Sequence, residues 1–154
     1  MGINVDIPGL DSLTLEHLVL DVNGTLTDRG ELLPGVSERL GRIAGRLHVH
    51  LLSADTLGTL DAVVRELGAA AQAIATGEDK ARFVRELGAS RCAAIGNGAN
   101  DAAMLEAAAL GIAVVGPEGA AGRALQAADV VCGSILAALD LLVDERALRA
   151  TLRS

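Results

Sequence analysis

Residues 18–28 read LVLDVNGTLTD, and the fold turns on this stretch. Leu18 to Val22 is a short apolar run interrupted by one acid, Asp21, and stopped by Asn23-Gly24. It reads as a buried strand that exposes an aspartate at its carboxyl end. Further runs of the same kind follow: VHLLS (49–53), AQAIA (71–75), CAAIG (92–96), GIAVV (111–115) and DVVCG (129–133). Helix-compatible segments separate them near 36–47, 57–67, 79–87, 100–109 and 119–127, with a last one near 134–143. In the first of these Val36, Leu40, Ile43 and Leu47 recur at helical spacing behind Pro34, a good helix starter. The strands are continuously apolar rather than alternating, as a parallel sheet covered on both faces requires. Strand–helix alternation of this kind predicts an α/β fold, a doubly wound parallel sheet in three αβα layers.

A length of 154 residues suits a single domain over 1–154, with 1–17 as an N-terminal extension in which INVDI and SLTLEH could pair as a small hairpin. Hydrophobic residues make up 51% of the chain, yet there is one Phe and no Trp or Tyr. The core must then be aliphatic, and few rings remain for stacking nucleobases. A net charge of −7 argues against nucleic acid or an anionic membrane as partner. No apolar stretch reaches the roughly 18 residues that span a bilayer. The first residues lack the basic and apolar regions of a secretion signal, so a cytoplasmic protein is expected. Cys92 and Cys132 lie in apolar runs and read as small buried side chains.

In doubly wound sheets the ligand lies outside the carboxyl ends of the strands. Asp21, Asn23 and Thr25 follow the first strand, and Ser53 and Asp55 the second. Lys80 opens the helix after the third, within GEDKARFV. The fourth is followed by GNGAND, residues 96–101, which holds Asn97, Asn100 and Asp101. A carboxylate, a hydroxyl, a lysine and a second carboxylate thus converge on one rim, while Gly24, Gly96 and Gly98 admit a ligand close to backbone N–H groups.

With these four motifs in order, the chain resembles the haloacid dehalogenase superfamily of aspartate-nucleophile phosphohydrolases and ATPases over roughly residues 18–140. DVNGTLTD is similar to the first family motif, LLSAD to the second, Lys80 to the third and GNGAND to the fourth. The closer likeness is to the phosphorylation domain of P-type ATPases and to stand-alone, soluble P-type-ATPase-like proteins; Ser53-Ala54-Asp55 stands where those carry Thr-Gly-Asp. The resemblance implies Asp21 as the nucleophile that forms an aspartyl-phosphate. It implies phosphate contacts from Gly24, Thr25, Ser53, Ala54, Lys80 and Asn100, with Asn100 orienting Lys80 or the nucleophile. Mg²⁺ is implied as cofactor, held by Asp21, the Asn23 backbone carbonyl, Asn97 and Asp101.

Two positions depart from that pattern. The family's phosphatases place Asp, the general acid–base, two residues after the nucleophile, where this chain has Asn23. An amide cannot exchange that proton, and losing such help typically costs roughly 10²–10⁴-fold in rate. Asn97 likewise replaces the first Asp of the fourth motif, which predicts weak Mg²⁺ binding. The expected function is a slow Mg²⁺-dependent phosphohydrolase. A phosphate-binding or phosphoryl-holding regulatory module is the alternative.

The gaps from Asp21 to Ser53 and from Ser53 to Lys80 leave room for a flap (27–34), helices and one strand, but for no cap domain. An open site of that kind suits a small phosphorylated molecule or a phosphorylated macromolecule as substrate, and closure by a neighbouring copy in a homo-oligomer. Blander readings hold elsewhere. Asp55 reads equally well as a helix N-cap. Glu78 and Asp79 favour a helix N-terminus. His48 and His50 share one side of a strand at its amino end and read as an edge feature; His17 carries no signal.

Asn23 and Asn97 each precede Gly, the context in which asparagine deamidates most readily, and conversion to Asp would restore the phosphatase carboxylates. Aged protein is therefore expected to gain activity as peptide mass spectrometry detects Asp at these sites. Gain of activity with both amides intact would overturn this.

Overall fold

The computed structural model describes residues 2–54, 61, 64–65, 68–74 and 76–154. Asp55 and most of the helix expected over 57–67 lie outside the described residues. The chain opens with an antiparallel pair, β1 (Ile3–Val5) and β2 (Leu13–Leu15), which is the hairpin anticipated for the extension. The strand containing the opening stretch, β3 (His17–Asp21), follows at once. A two-stranded flap, β4 (Thr27–Asp28) and β5 (Glu31–Leu32), leads into α1 (Val36–Ala44) and then β6 (His48–Ser53). After β7 (Ala70–Ala73) and α2 (Gly77–Leu87) come β8 (Cys92–Gly96) and α3 (Ala102–Ala107), then β9 (Leu110–Val114), α4 (Gly122–Ala127) and β10 (Val130–Cys132). Two helices end the chain, α5 (Ile135–Val143) and α6 (Glu145–Leu152).

Among the described residues the main sheet has six strands, all parallel, in the order β10-β9-β8-β3-β6-β7. The order reverses at β3, which pairs with β6 on one side and β8 on the other. Asp21 therefore ends the strand where a crevice must open between connections that leave in opposite directions.

Successive β3 residues feed opposite cores. Leu18 and Leu20 pack with Val36, Leu40 and Ile43 of α1 and with Ile135, Leu139 and Leu142 of α5. Val19 packs with Val84 of α2, Met104 and Leu105 of α3 and Ala124 of α4. Both faces are dry, so no strand residue in this region needs to be polar. The second core is rich in Ala, and there α3 approaches the sheet closely: a Cβ on Gly111 of β9 would collide with the Leu105 carbonyl.

The helix ends follow their local sequence. Thr76 caps α2 by accepting from the Asp79 N–H at 3.2 Å, with Glu78 and Asp79 in the first turn. Gly88 closes α2 at φ 104°. The strand bounds shift from expectation by one or two residues, as frayed ends do. The unforeseen element is α6, nucleated by Asp144, whose carboxylate accepts from the Arg146 N–H, and anchored by buried Leu148. Among the described residues no helix is long and apolar enough to cross a membrane.

Candidate active site

Lys80 is 1% exposed, although it is a lysine on the first turns of a helix. Thr76 sets where α2 begins, and that start directs Lys80 inward beneath the end of β3. Its Nζ donates to Asp21 Oδ1 and to Asp101 Oδ1, both at 2.8 Å. Asp101, fully buried, uses its other oxygen to accept from the N–H groups of Asn97 at 3.1 Å and Gly98 at 3.0 Å. A side chain on Gly96 would stand 2.5 Å from the Asp101 carboxyl carbon, so this close turn requires glycine.

The loop after β3 is wound tightly on one carbonyl. Val22 accepts from the N–H groups of Thr25 at 3.2 Å, Leu26 at 2.9 Å and Thr27 at 3.3 Å. Gly24, at φ 76°, makes the turn possible. The winding brings the buried Thr25 Oγ1 to 3.1 Å from Asp21 Oδ2 and 3.1 Å from Asn97 Oδ1. Asn97 is oriented by its amide nitrogen, which donates to the Gly119 carbonyl at 3.2 Å. Ser53, buried at the end of β6, donates to Asn23 Oδ1 at 2.9 Å.

Asp21, Asn23, Thr25, Ser53, Lys80, Asn97 and Asp101 are thus gathered at one end of the sheet, as the strand-end argument required. Asn100 is exposed, in the turn between β8 and α3. Gly24 lies in the loop beside Asp21, and Ala54 follows Ser53 at the exposed end of β6. The histidines are at the opposite end of the strands. There His17 Nδ1 lies 3.1 Å from His50 Nε2, an interaction the sequence did not signal. Burial lowers the pKa of both, to about 4 for His50. Among the described residues no three His, Cys, Asp or Glu side chains are arranged to hold a metal. Cys92 and Cys132 are free and buried.

Two residues beside the site went unremarked in the sequence. Arg29, at φ 52°, forms with Gly30 the tight turn of the flap. Glu118 follows β9, in the Gly-Pro-Glu-Gly turn over Gly24. The strand-end rule would have found Glu118 had it been carried past the fourth strand.

The candidate ligands suit a hard divalent cation in kind, because the atoms that Asp21, Asn97 and the Asn23 carbonyl would offer are oxygens. The hydrogen-bond count also leaves a place for one. Thr25 has a single hydroxyl proton, and two acceptors, Asp21 Oδ2 and Asn97 Oδ1, face it. Asp21 and Asn97 would help hold a cation, whose charge would serve the acceptor that the proton cannot. The Asn23 carbonyl accepts no hydrogen bond among the described residues. Asp101 differs: one oxygen is turned to Lys80 and the other to backbone N–H groups.

Burial, then the neighbouring Asp101, raises the Asp21 pKa to about 6 against the opposing pull of Lys80. The Lys80 pKa is raised: burial, the largest influence, lowers it, but the two carboxylates outweigh burial. Folding thus favours protonated Asp21. Its contribution to stability is fully present below its ordinary value of 3.8 and is lost as pH rises through about 6. In EDTA at pH 8, Asp21→Asn should unfold in urea at no lower concentration than the native chain, since Lys80 keeps Asp101. Lys80→Met, which strands two buried carboxylates, should cost about 3–5 kcal/mol, less below pH 6. Equal losses in the two variants would contradict this account.

A family model described as haloacid dehalogenase-like hydrolase matches residues 3–109. Among solved structures, the chain is similar to the 3-deoxy-D-manno-octulosonate 8-phosphate phosphatase of Moraxella catarrhalis, crystallised with magnesium, phosphate and the sugar acid. The TM-score is 0.66 at 20% identity, over 90% of this chain and 94% of that one. A zinc-transporting P-type ATPase is 28% identical with a TM-score of 0.63, over 79% of this chain and 20% of that one. A curated but uncharacterised protein of Methanocaldococcus jannaschii is 50% identical over 60 residues, 39% of this chain. The match spans 64% of that relative's length. The family match, which covers more than half of the chain, shows that it belongs to the haloacid dehalogenase-like hydrolases.

Proposed function

We propose that the protein is a divalent-metal-dependent phosphohydrolase that passes a phosphoryl group through Asp21. The observation that carries the reading is Lys80, buried between Asp21 and Asp101 at 2.8 Å from each. A lysine there offsets part of what burial and Asp101 do to the nucleophile, and it opposes charge gathering on the phosphoryl oxygens. Asp101 acts through Lys80, fixing the ammonium in place. Thr25 orients Asp21, and Ser53 offers a hydroxyl to a phosphoryl oxygen. Mg²⁺, held by Asp21, the Asn23 carbonyl and Asn97, would supply further charge neutralisation.

In this scheme a carboxylate oxygen of Asp21 attacks phosphorus and the bond to the leaving oxygen breaks. Water then attacks the acyl phosphate, releasing phosphate and restoring Asp21. Asn23 is unsuited to move either proton, and its oxygen already accepts from Ser53. Slow turnover follows, and the same observation favours the second reading, a module that binds phosphate or holds the phosphoryl group.

The similarity to a zinc-transporting ATPase supports the soluble P-type-ATPase-like branch of the family. The likeness to sugar-acid phosphatases at 20% identity is one of fold and does not name this chain's substrate. The reading takes the protein as cytoplasmic and self-associating, with a phosphorylated small molecule or macromolecule as substrate.

On a panel of phosphate esters, turnover should require Mg²⁺, stop with EDTA and be lost in Asp21→Asn. Asn23→Asp should raise it, by up to about 10²-fold or more if no other group supplies the proton. Turnover unchanged in Asp21→Asn would overturn the reading. Phosphorylation without release would favour the holding module.

A further inference from the structure

The site lacks a carboxylate at Asn23, and a different one stands over the same loop. Residues 116–119, Gly-Pro-Glu-Gly, close on themselves: Gly119 N–H donates to the Gly116 carbonyl at 2.9 Å and Gly116 N–H to the Gly119 carbonyl at 3.4 Å. Pro117, second in the turn, fixes its own φ and stiffens the tip that bears Glu118.

The turn is docked on both of its neighbours. A Cβ on Gly116 would stand 2.8 Å from the Gly24 carbonyl oxygen, so the two backbones touch. On the other side Asn97 donates from its amide nitrogen to the Gly119 carbonyl at 3.2 Å and from its own carbonyl accepts the Ala121 N–H at 2.8 Å. Glu118 thereby hangs over Gly24, where any side chain would collide with its carboxylate. Asn23, Gly24, Asp28, Arg29 and Glu118 line one polar cleft of about 440 Å³ between the turn and the flap.

We propose that Glu118 is the general acid–base that Asn23 cannot be, an inference that rests on the phosphohydrolase reading above. Its carboxylate lies on the amide-nitrogen side of Asn97, whereas the Asn97 oxygen faces Thr25 and Asp21. Glu118 therefore shares with Asn23 the cleft beside the loop that follows Asp21, and the assignment takes that cleft as the path of leaving group and water. Glu118 as the acid gives its proton to the leaving oxygen as Asp21 bonds to phosphorus. As carboxylate it then takes one proton from the attacking water while the bond from phosphorus to Asp21 breaks. The products are alcohol, hydrogen phosphate, ionised Asp21 and re-protonated Glu118.

The test compares the native chain with Glu118→Gln, Asn23→Asp, the double variant and Asp21→Asn, all with Mg²⁺. The exposed turn should tolerate Gln, and circular dichroism checks the fold. kcat/KM is measured on phenyl phosphate, whose leaving group needs a proton, and on p-nitrophenyl phosphate, whose leaving group scarcely does. Glu118→Gln should lose about 10²-fold on phenyl phosphate and much less on p-nitrophenyl phosphate, with Asn23→Asp restoring the loss. Equal losses on both esters, no loss, or no restoration by Asn23→Asp would overturn the assignment. A native chain that is inactive while Asn23→Asp turns over would also overturn it and leave the nucleophile reading standing. Activity unaffected in Asp21→Asn, or absent from both native and Asn23→Asp, would instead overturn the reading on which it rests.

Discussion

An ammonium group bonded to two carboxylates, all three nearly out of water, is the constraint on which the site end of this molecule depends. Such a cluster is costly to assemble unless every oxygen and proton is used. The chain meets that demand with backbone: Asp101 is completed by the N–H groups of Asn97 and Gly98, and Asp21 by Thr25. The start of α2, the glycine at the end of β8 and the tight winding after Val22 are each needed to bring these groups within reach. The charges do not cancel. Two carboxylates face one lysine, and burial, reinforced by that excess, raises the Asp21 pKa to about 6. A residual negative charge among oxygen donors is what a divalent cation would neutralise.

The two asparagines alter that balance in one direction. Four oxygen-bearing positions that could all have been carboxylates are here two carboxylates and two amides. A phosphate dianion meets less repulsion, and a cation meets weaker ligands. Glu118 returns one carboxylate to the cleft beside Asn23, on a separate turn. Proton transfer and metal binding, which a single loop serves where Asp stands at position 23, would then be divided between two loops.

Much of this was legible in the sequence, for particular reasons. Buried parallel strands announce themselves as continuous apolar runs, and LVLDV, CAAIG and GIAVV each became a central strand of the sheet. The gathering of polar side chains at one end of the sheet was legible because a strand's carboxyl end is a position that can be counted to. Orientation was not legible. That Asp101 faces Lys80 and backbone rather than open solvent depends on the close approach at Gly96. The contact of His17 with His50 needed the register of β3 against β6, which periodicity does not supply. Glu118 escaped because its turn follows a strand beyond the four motifs, and a glutamate between Pro and Gly looks like any solvated loop residue.

The proposed chemistry requires Asp21 to accept a phosphoryl group. The most direct measurement incubates the protein with Mg²⁺ and acetyl phosphate, quenches in acid, reduces any acyl phosphate with borohydride and locates the reduced residue by peptide mass spectrometry. Homoserine should appear at position 21 in the native chain, dependent on Mg²⁺ and absent after Asp21→Asn. An unmodified Asp21 throughout, or modification confined to another residue, would contradict it.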